Sequence, residues 1–331
     1  MENILFIGGG SWGAALAFAL SKNKMPSTIW HRNNSIVESM NKSRNHYLIP
    51  FLKIPSEVNF VYDVESSLKK ANIVIISIPS QSVRKFLNRN GCFFSKDKII
   101  VIVSKGIEND SLMTMSQVVI DVLGKGFKRI VTLSGPSHAE EVIRMYPTTL
   151  VSASKNANSS KKIQSIFSNN FIRIYSNNDV LGVELGGAIK NVIAIASGIC
   201  DGIGYGDNTK AALLTRGISE ISNLGLLMGA KASTFQGLSG IGDLMVTALS
   251  KHSRNRQVGE KIGKGNTLED IMVDMDMVAE GVKSALSVEN LRKKFKIEMP
   301  ICNAVYNVLF NQKDPKKAVY DLMNRKLKVE K

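Results

Sequence analysis

At 331 residues the chain exceeds the roughly 250–300 residues over which a single hydrophobic core grows, so two domains are expected. Its composition, 44% hydrophobic and 21% charged, is that of an ordinary globular protein and excludes disorder, collagen and repeat arrays. The net charge of +15 is spread along the chain, with modest clusters at Arg292-Lys293-Lys294 and around Lys313, Lys316 and Lys317; aromatics make up only 7%. No nucleic-acid partner is expected from that pattern. A general positive field of this kind helps gather anionic substrates.

Met1-Glu2-Asn3 carries no basic stretch and runs into Ile4-Leu5-Phe6-Ile7, too short for a signal peptide's apolar segment. No apolar run reaches the roughly 20 residues of a membrane span. A cytoplasmic protein without stable membrane insertion is expected, and a homodimer is the assembly entertained. Cys92, Cys200 and Cys302 form no CxxC and have no His nearby in sequence, so neither a disulfide framework nor a metal site is expected.

The N-terminal part alternates short Ile- and Val-rich runs with helical stretches. Strands are predicted at Ile4–Ile7, Thr28–Trp30, Asn59–Tyr62, Ile73–Ile78, Ile99–Val103, Arg129–Leu133, Thr149–Ala153 and Phe171–Tyr175. Between them lie helices such as Trp12–Ser21, Ser80–Leu87 and Ser111–Leu123. Nearly unbroken apolar strands alternating with helices predict an α/β fold, with a doubly wound, mostly parallel sheet of Rossmann type. Beyond Asp179 the pattern is helical: Val180–Ile199, Asn208–Met228, Ile241–Leu249, Arg254–Ile262, Thr267–Met272, Val282–Lys294, Ile301–Leu309 and Pro315–Met323, with Gly202-Ile203-Gly204 and Gly263-Lys264-Gly265 as links. Residues 1–180 are therefore expected to form a dinucleotide-binding domain and 181–331 an all-helical substrate domain, with a ligand cleft between them.

Gly8-Gly9-Gly10-Ser11-Trp12-Gly13 satisfies G-x-G-x-x-G between a strand and a helix, the context the motif requires. Gly8 suits the tight turn, Gly10 the approach of a pyrophosphate, and Gly13 the packing of helix on sheet. At the end of the second strand stands Trp30-His31-Arg32-Asn33, without the acid that holds a ribose 2′-hydroxyl. Arg32 can pair with a 2′-phosphate, which points to NADP(H) ahead of NAD(H).

Lys190 interrupts an otherwise apolar helix, with Gly186, Gly187 and Ala194 on its face. A buried Lys is costly unless it has a function, and burial brings its pKa toward working pH. Lys190 is thus a candidate proton acceptor, and the small residues around it are expected to leave room for a ligand. Asp243, after the run Gly237-Leu238-Ser239-Gly240-Ile241-Gly242, reads either as a helix cap or as a partner of Lys190; Thr247 follows one turn later. Ser253-Arg254-Asn255 offers an N-cap, a guanidinium and an amide at a helix start, a combination suited to phosphate. The loops Ser104-Lys105-Gly106 and Gly135-Pro136-Ser137-His138-Ala139 follow strands, at the end of a doubly wound sheet that binds ligands. His138 is a weaker candidate for a base.

These blocks together resemble the bacterial NAD(P)-dependent glycerol-3-phosphate dehydrogenases, over Gly8–Ala17, Ser104–Glu108, Leu133–Val142, Glu184–Asn191, Asp201–Glu220, Gly237–Thr247 and Ser253–Gly265. The resemblance implies a Rossmann domain followed by a helical one. It implies interconversion of glycerol 3-phosphate and dihydroxyacetone phosphate, usually toward glycerol 3-phosphate for phospholipid synthesis. Lys190 is implied as proton acceptor, with Lys105 and Asp243 orienting or balancing charge. Substrate contacts are implied for Lys105, Gly135, Ser137, Asp243, Ser253, Arg254 and Asn255, beside the candidates Asn191 and Thr247. Cofactor contacts are implied for Ser11, Trp12, Arg32, Lys105, Ala139, Arg254, Val278 and Glu280. Gly9 stands where Ala is usual, and His138 where Phe is common. Two alternatives stay open: a 3-hydroxyacid or ketopantoate-type dehydrogenase of the same plan, and a non-catalytic NADP-binding sensor.

Overall fold

The structure, a computed structural model, describes residues 2–274, 279–327 and 329–330. In chain order the first part comprises β1 (Ile4–Ile7), α1 (Ser11–Lys22), β2 (Ser27–Trp30), α2 (Asn34–Ser43), β3 (Asn45–His46), β4 (Ile49–Lys53), β5 (Val58–Val61), α3 (Val64–Lys70), β6 (Ile73–Ile76), α4 (Val83–Asn90), β7 (Ile99–Ile102), α5 (Met115–Leu123), β8 (Ile130–Ser134), α6 (Ala139–Ile143), β9 (Thr148–Ala153), α7 (Ala157–Phe167) and β10 (Ile172–Asn177). Eight strands form one sheet in the order β10-β9-β8-β7-β6-β1-β2-β5. Neighbours run parallel except β8 and β9. β1, β6 and β7 are buried at every position, which is why they read as unbroken apolar runs. Apolar side chains form one cluster on each face of the sheet.

All eight sheet strands lie where the sequence predicts them, with ends displaced by one or two residues. The hairpin β3–β4 is an addition that the pattern did not announce. It pairs apart from the main sheet, and Pro50 within it argues against a strand on sequence grounds. The helix expected from Ser111 starts at Met115, because Thr114 and Gln117 close a capping box there.

The elements among the remaining described residues are helical: α8 (Val180–Ile203), α9 (Asp207–Leu227), α10 (Ala232–Phe235), a π-type turn over Leu238–Gly242, α11 (Asp243–Leu249), α12 (Arg254–Gly263), α13 (Leu268–Asp274), α14 (Glu280–Phe295), α15 (Pro300–Phe310) and α16 (Pro315–Met323). α8 continues through the expected link at Gly202 and stops at Gly204, which takes the left-handed conformation at φ +93°. It is long and apolar enough to cross a membrane by length and composition, contrary to the sequence expectation, yet 94% of that window is buried inside the fold. α12 crosses α8 at very short range. Gly198 and Gly202 face Gly259 and Gly263, and a Cβ on any of them would run into the opposite helix's backbone. Small residues thus fix the spacing of the two helices that carry the site.

Candidate active site

Lys190 lies midway along α8 and is 5% exposed. Its Nζ donates to Asp243 Oδ1 at 2.5 Å and to Thr247 Oγ1 at 2.5 Å. Thr247 in turn donates to the Asp243 carbonyl at 2.6 Å, so one turn of α11 presents both acceptors. The other oxygen of Asp243 accepts from Lys105 Nζ at 2.8 Å, and Lys105 also donates to the Gly135 carbonyl at 3.1 Å. One fully buried carboxylate therefore bridges two ammonium groups. Burial pulls the Lys190 pKa down to about 7, with Asp243 pulling up and Lys105 pushing further down. Asp243 is no helix cap: Gly242 holds that position, and no side chain caps the helix there.

Two of the small residues near Lys190, Gly186 and Gly187, pack closely against other parts of the chain. Gly186 lies against the backbone of Ser239, and Gly187 against Ser134 Oγ and the stem of Lys105. Protein atoms thus stand close against both glycines. Asn191, next along α8, accepts from Asn255 Nδ2 at 3.0 Å, and Asn255 Oδ1 accepts from the Gly281 amide at 2.9 Å. Ser253 caps α12 as the sequence predicts, its side chain accepting from Arg256 N at 3.3 Å. Arg254 is exposed on the first turn of that helix. A side-chain hydrogen bond thus ties the candidate phosphate-holding helix start to Asn191, the neighbour of Lys190 on α8.

Ser137 turns back onto the Gly135 carbonyl at 2.9 Å. Gly135 sits at φ +130°, and Ala139 is the buried first residue of α6. His138 bonds the Val246 carbonyl at 3.3 Å, joining this loop to α11 rather than standing as a free base; burial lowers its pKa. Glu280, the first residue of α14, accepts from Ser80 N at 3.0 Å. Burial pushes its carboxyl up to about 7, against the pull of the Ser80 amide, Arg254 and Lys105. Val278 lies outside the described residues.

At the glycine loop, a Cβ on Gly8 would collide with Ser77 and Ile78, and one on Gly13 with the Gly8 carbonyl and Ser77 Oγ. At Gly10 a Cβ would meet nothing within 4 Å, leaving an open cradle in front of the α1 helix start. The Trp12 Nε1 beside it is buried without a partner. A bound dinucleotide fits this arrangement: crowding behind the loop, room before it, and a helix N-terminus facing the room. Arg32 is exposed beyond β2, close enough to His31 and Tyr47 to act on both electrostatically.

Sequence reasoning missed two further buried groups. Glu184, six residues before Lys190, accepts from Ser116 N at 2.8 Å, Ser116 Oγ at 2.6 Å and Thr132 Oγ1 at 3.1 Å. It docks α8 onto the N-terminus of α5. An acid in an apolar helix was the available signal. His46 bonds the Gly9 carbonyl at 3.1 Å, and nothing in its local sequence marked it.

Two family models match the chain: NAD-dependent glycerol-3-phosphate dehydrogenase N-terminus over residues 3–160, and the C-terminus of the same family over 179–320. The chain belongs to the NAD-dependent glycerol-3-phosphate dehydrogenase family. Among its relatives, glycerol-3-phosphate dehydrogenase (NAD(P)+) 2 of Salinibacter ruber is 47% identical over 99% of this chain and 96% of its own length. The glycerol-3-phosphate dehydrogenase (NAD(P)+) of Clostridium tetani is 45% identical over 100% and 94%. The crystal structure of glycerol-3-phosphate dehydrogenase from Coxiella burnetii superposes with a TM-score of 0.93 at 32% identity, covering 98% of this chain and 99% of that one. Family membership thus agrees with the resemblance drawn from the motifs.

Proposed function

We infer that this chain is an NAD(P)-dependent glycerol-3-phosphate dehydrogenase in which Lys190 passes the proton. The observation that carries the reading is the buried Lys190 ammonium, brought to about 7 by burial and held by Asp243 and Thr247. Reducing dihydroxyacetone phosphate adds a hydride to the ketone carbon and a proton to its oxygen. The hydride comes from the reduced nicotinamide when that cofactor is bound. A group titrating near 7 can give the proton in this direction and take it in the reverse. Two of the three Lys190 N–H donors are engaged, which leaves the third for the substrate oxygen.

Asp243 fixes Lys190 and Lys105 relative to each other, and Lys105, beside Gly135 and Ser137, is the second cation for that oxygen. The start of α12 suits the substrate phosphate through Ser253, Arg254 and Asn255, and the Asn191–Asn255 bond, made by the residue next to Lys190, ties that helix start to α8. Gly8, Gly10, Ser11, Trp12 and Gly13 are assigned to the dinucleotide, with Lys105, Ala139, Arg254, Val278 and Glu280 around it. Arg32 is assigned to a 2′-phosphate, favouring NADP(H).

The division into a dinucleotide-binding domain, 1–180, and a substrate domain, 181–331, is supported by apolar clusters that lie mostly on one side of that boundary, with Val151 and Ala153 meeting Val183 across it. Three free cysteines suit a reducing cytoplasm, where the product feeds phospholipid synthesis.

The test is a spectrophotometric assay of dihydroxyacetone phosphate reduction with NADPH and with NADH. Lys190→Ala should lower kcat by roughly 10²–10⁴-fold and leave the cofactor Kd unchanged. Turnover near that of the wild type in this variant removes Lys190 from the reaction.

A further inference from the structure

Across a trans peptide the C=O and N–H point in opposite directions. Whatever holds the carbonyls of a loop therefore also aims the amides on its other side. The glycine loop of this chain has every carbonyl from residue 7 to residue 10 held by protein. Ile7 O accepts from Ser77 N at 2.9 Å, and Gly8 O from the single Ser77 hydroxyl hydrogen at 2.9 Å, with Ile7 O also 3.0 Å from that Oγ. Gly10 O accepts from Ala14 N at 3.0 Å as α1 begins. The remaining carbonyl, Gly9 O, is held by His46 Nε2 at 3.1 Å. That bond comes from the hairpin β3–β4, outside the main sheet.

The direction of the hydrogen in this bond is fixed locally. His46 Nδ1 accepts the Leu48 amide at 3.2 Å, so Nδ1 carries the lone pair and Nε2 the proton. The ring is 1% exposed. Burial holds its pKa down at about 4, with the Gly9 bond pulling up and His31 pushing further down. The imidazole is therefore neutral at neutral pH, in the tautomer that donates to Gly9.

We propose that His46 is a positioning residue for the dinucleotide. By holding the Gly9 carbonyl it keeps the Gly10 amide turned to the open side of the loop, where the pyrophosphate is received. The open side is the one on which a Gly10 Cβ would meet nothing within 4 Å. The inference rests on the cofactor assignment made above. It separates His46 from a packing role alone, for which its ring contacts with Tyr47 at 5.1 Å and Phe60 at 6.5 Å would suffice.

The experiment uses the full chain as wild type, His46→Phe and His46→Gln, with NADPH binding read by calorimetry on the cofactor-free protein. Phe keeps the ring and loses the donor, and Gln keeps a donor on a shorter, open side chain. His46→Phe should weaken NADPH binding roughly tenfold, the scale of one lost hydrogen bond to an aimed peptide. His46→Gln should recover most of that loss. In His46→Phe, kcat at saturating NADPH and the KM for dihydroxyacetone phosphate should stay at wild-type values. A ¹⁵N spectrum of the wild-type imidazoles at pH 7 should show His46 neutral and protonated on Nε2. If wild type fails to bind NADPH, the cofactor assignment itself falls. If wild type binds and His46→Phe binds as tightly, His46 is core packing and the proposal is overturned. A loss in His46→Phe spread equally over cofactor binding, kcat and substrate KM would overturn it as well. Should the Phe variant not fold, a ring protonated on Nδ1, or charged at pH 7, refutes the proposal from the wild-type protein alone.

Discussion

Asp243→Asn keeps the shape of the side chain that bridges the two lysines and removes its charge. Asp243 is fully buried, with Lys190 on one oxygen at 2.5 Å and Lys105 on the other at 2.8 Å. The Lys190 pKa of about 7 balances burial and Lys105, which lower it, against Asp243, which raises it. Taking away the upward pull moves the pKa further down. An opposite charge at hydrogen-bond distance is worth roughly 1–3 pKa units. At two units, the protonated fraction of Lys190 at pH 7 falls from about one half to about one in a hundred, roughly a 50-fold loss of the proton donor. The assay is the pH profile of kcat/KM for dihydroxyacetone phosphate reduction, which reports the free enzyme. In wild type the rate should fall as pH rises through about 7, because reduction needs the protonated amine. In Asp243→Asn the same limb should move toward acid by roughly 1–3 units, and lowering the pH should restore part of the rate. A limb that stays in place, with a loss equal at every pH, would refute the idea that Asp243 sets the protonation of Lys190.

Three further substitutions probe the surroundings. In Gly281→Ala a Cβ would stand 2.7 Å from Asn255 Oδ1 and 2.8 Å from Asn191 O, against ordinary contact from 3.4 Å. Asn255 must yield by about 0.7 Å and the start of α14 must shift from the Asn191 carbonyl, so the KM for dihydroxyacetone phosphate should rise about tenfold or more; Gly206→Ala, with nothing within 4 Å, should leave it unmoved. Glu184→Gln turns an amide toward donors that now serve a carboxylate, and urea unfolding should report a loss of about 1.5–3 kcal/mol. A change below about 0.5 kcal/mol would mean that burial, which raises the Glu184 pKa, has already protonated it. Arg32→Ala should raise the KM for NADPH roughly tenfold or more and spare that for NADH; equal effects would put the 2′-phosphate elsewhere.

The sheet was legible because its central strands are buried on both faces and so read as runs of Ile and Val. The glycine loop was legible because its spacing encodes a turn, an approach and a packing contact in six residues. Lys190 stood out as a lone cation in an apolar helix, and Ser253 as a cap followed by basic and amide residues. Neither signal reveals partners. Asp243 could be a cap or a counter-ion until the fold brought it across 53 positions of sequence to Lys190. The glycines near Lys190 were misread for the same reason: periodicity puts Gly186 and Gly187 on the lysine's face, yet only the three-dimensional packing says that Ser239 and the Lys105 stem occupy the room. His46 was invisible because a hairpin containing Pro50 does not look like one, and because its bond to Gly9 spans 37 positions.

The charge count at the centre explains why a buried lysine is retained there. One fully buried carboxylate serves two ammonium groups, so the bridge itself carries more positive than negative charge when both are protonated. Burial lowers the Lys190 pKa to about 7 and Lys105 pushes it further down, so the amine releases its proton near neutral pH instead of at the usual lysine value. During ketone reduction, negative charge grows on the substrate oxygen before the proton reaches it. On the function proposed above, the two cations then face two anionic groups, and the imbalance disappears. Interactions that are poor in the resting site and good in the transition state are those that accelerate a reaction. A second carboxylate beside Lys190 would make the resting site more comfortable and the enzyme slower, by raising the amine's pKa and by neutralising the field that the developing oxyanion needs.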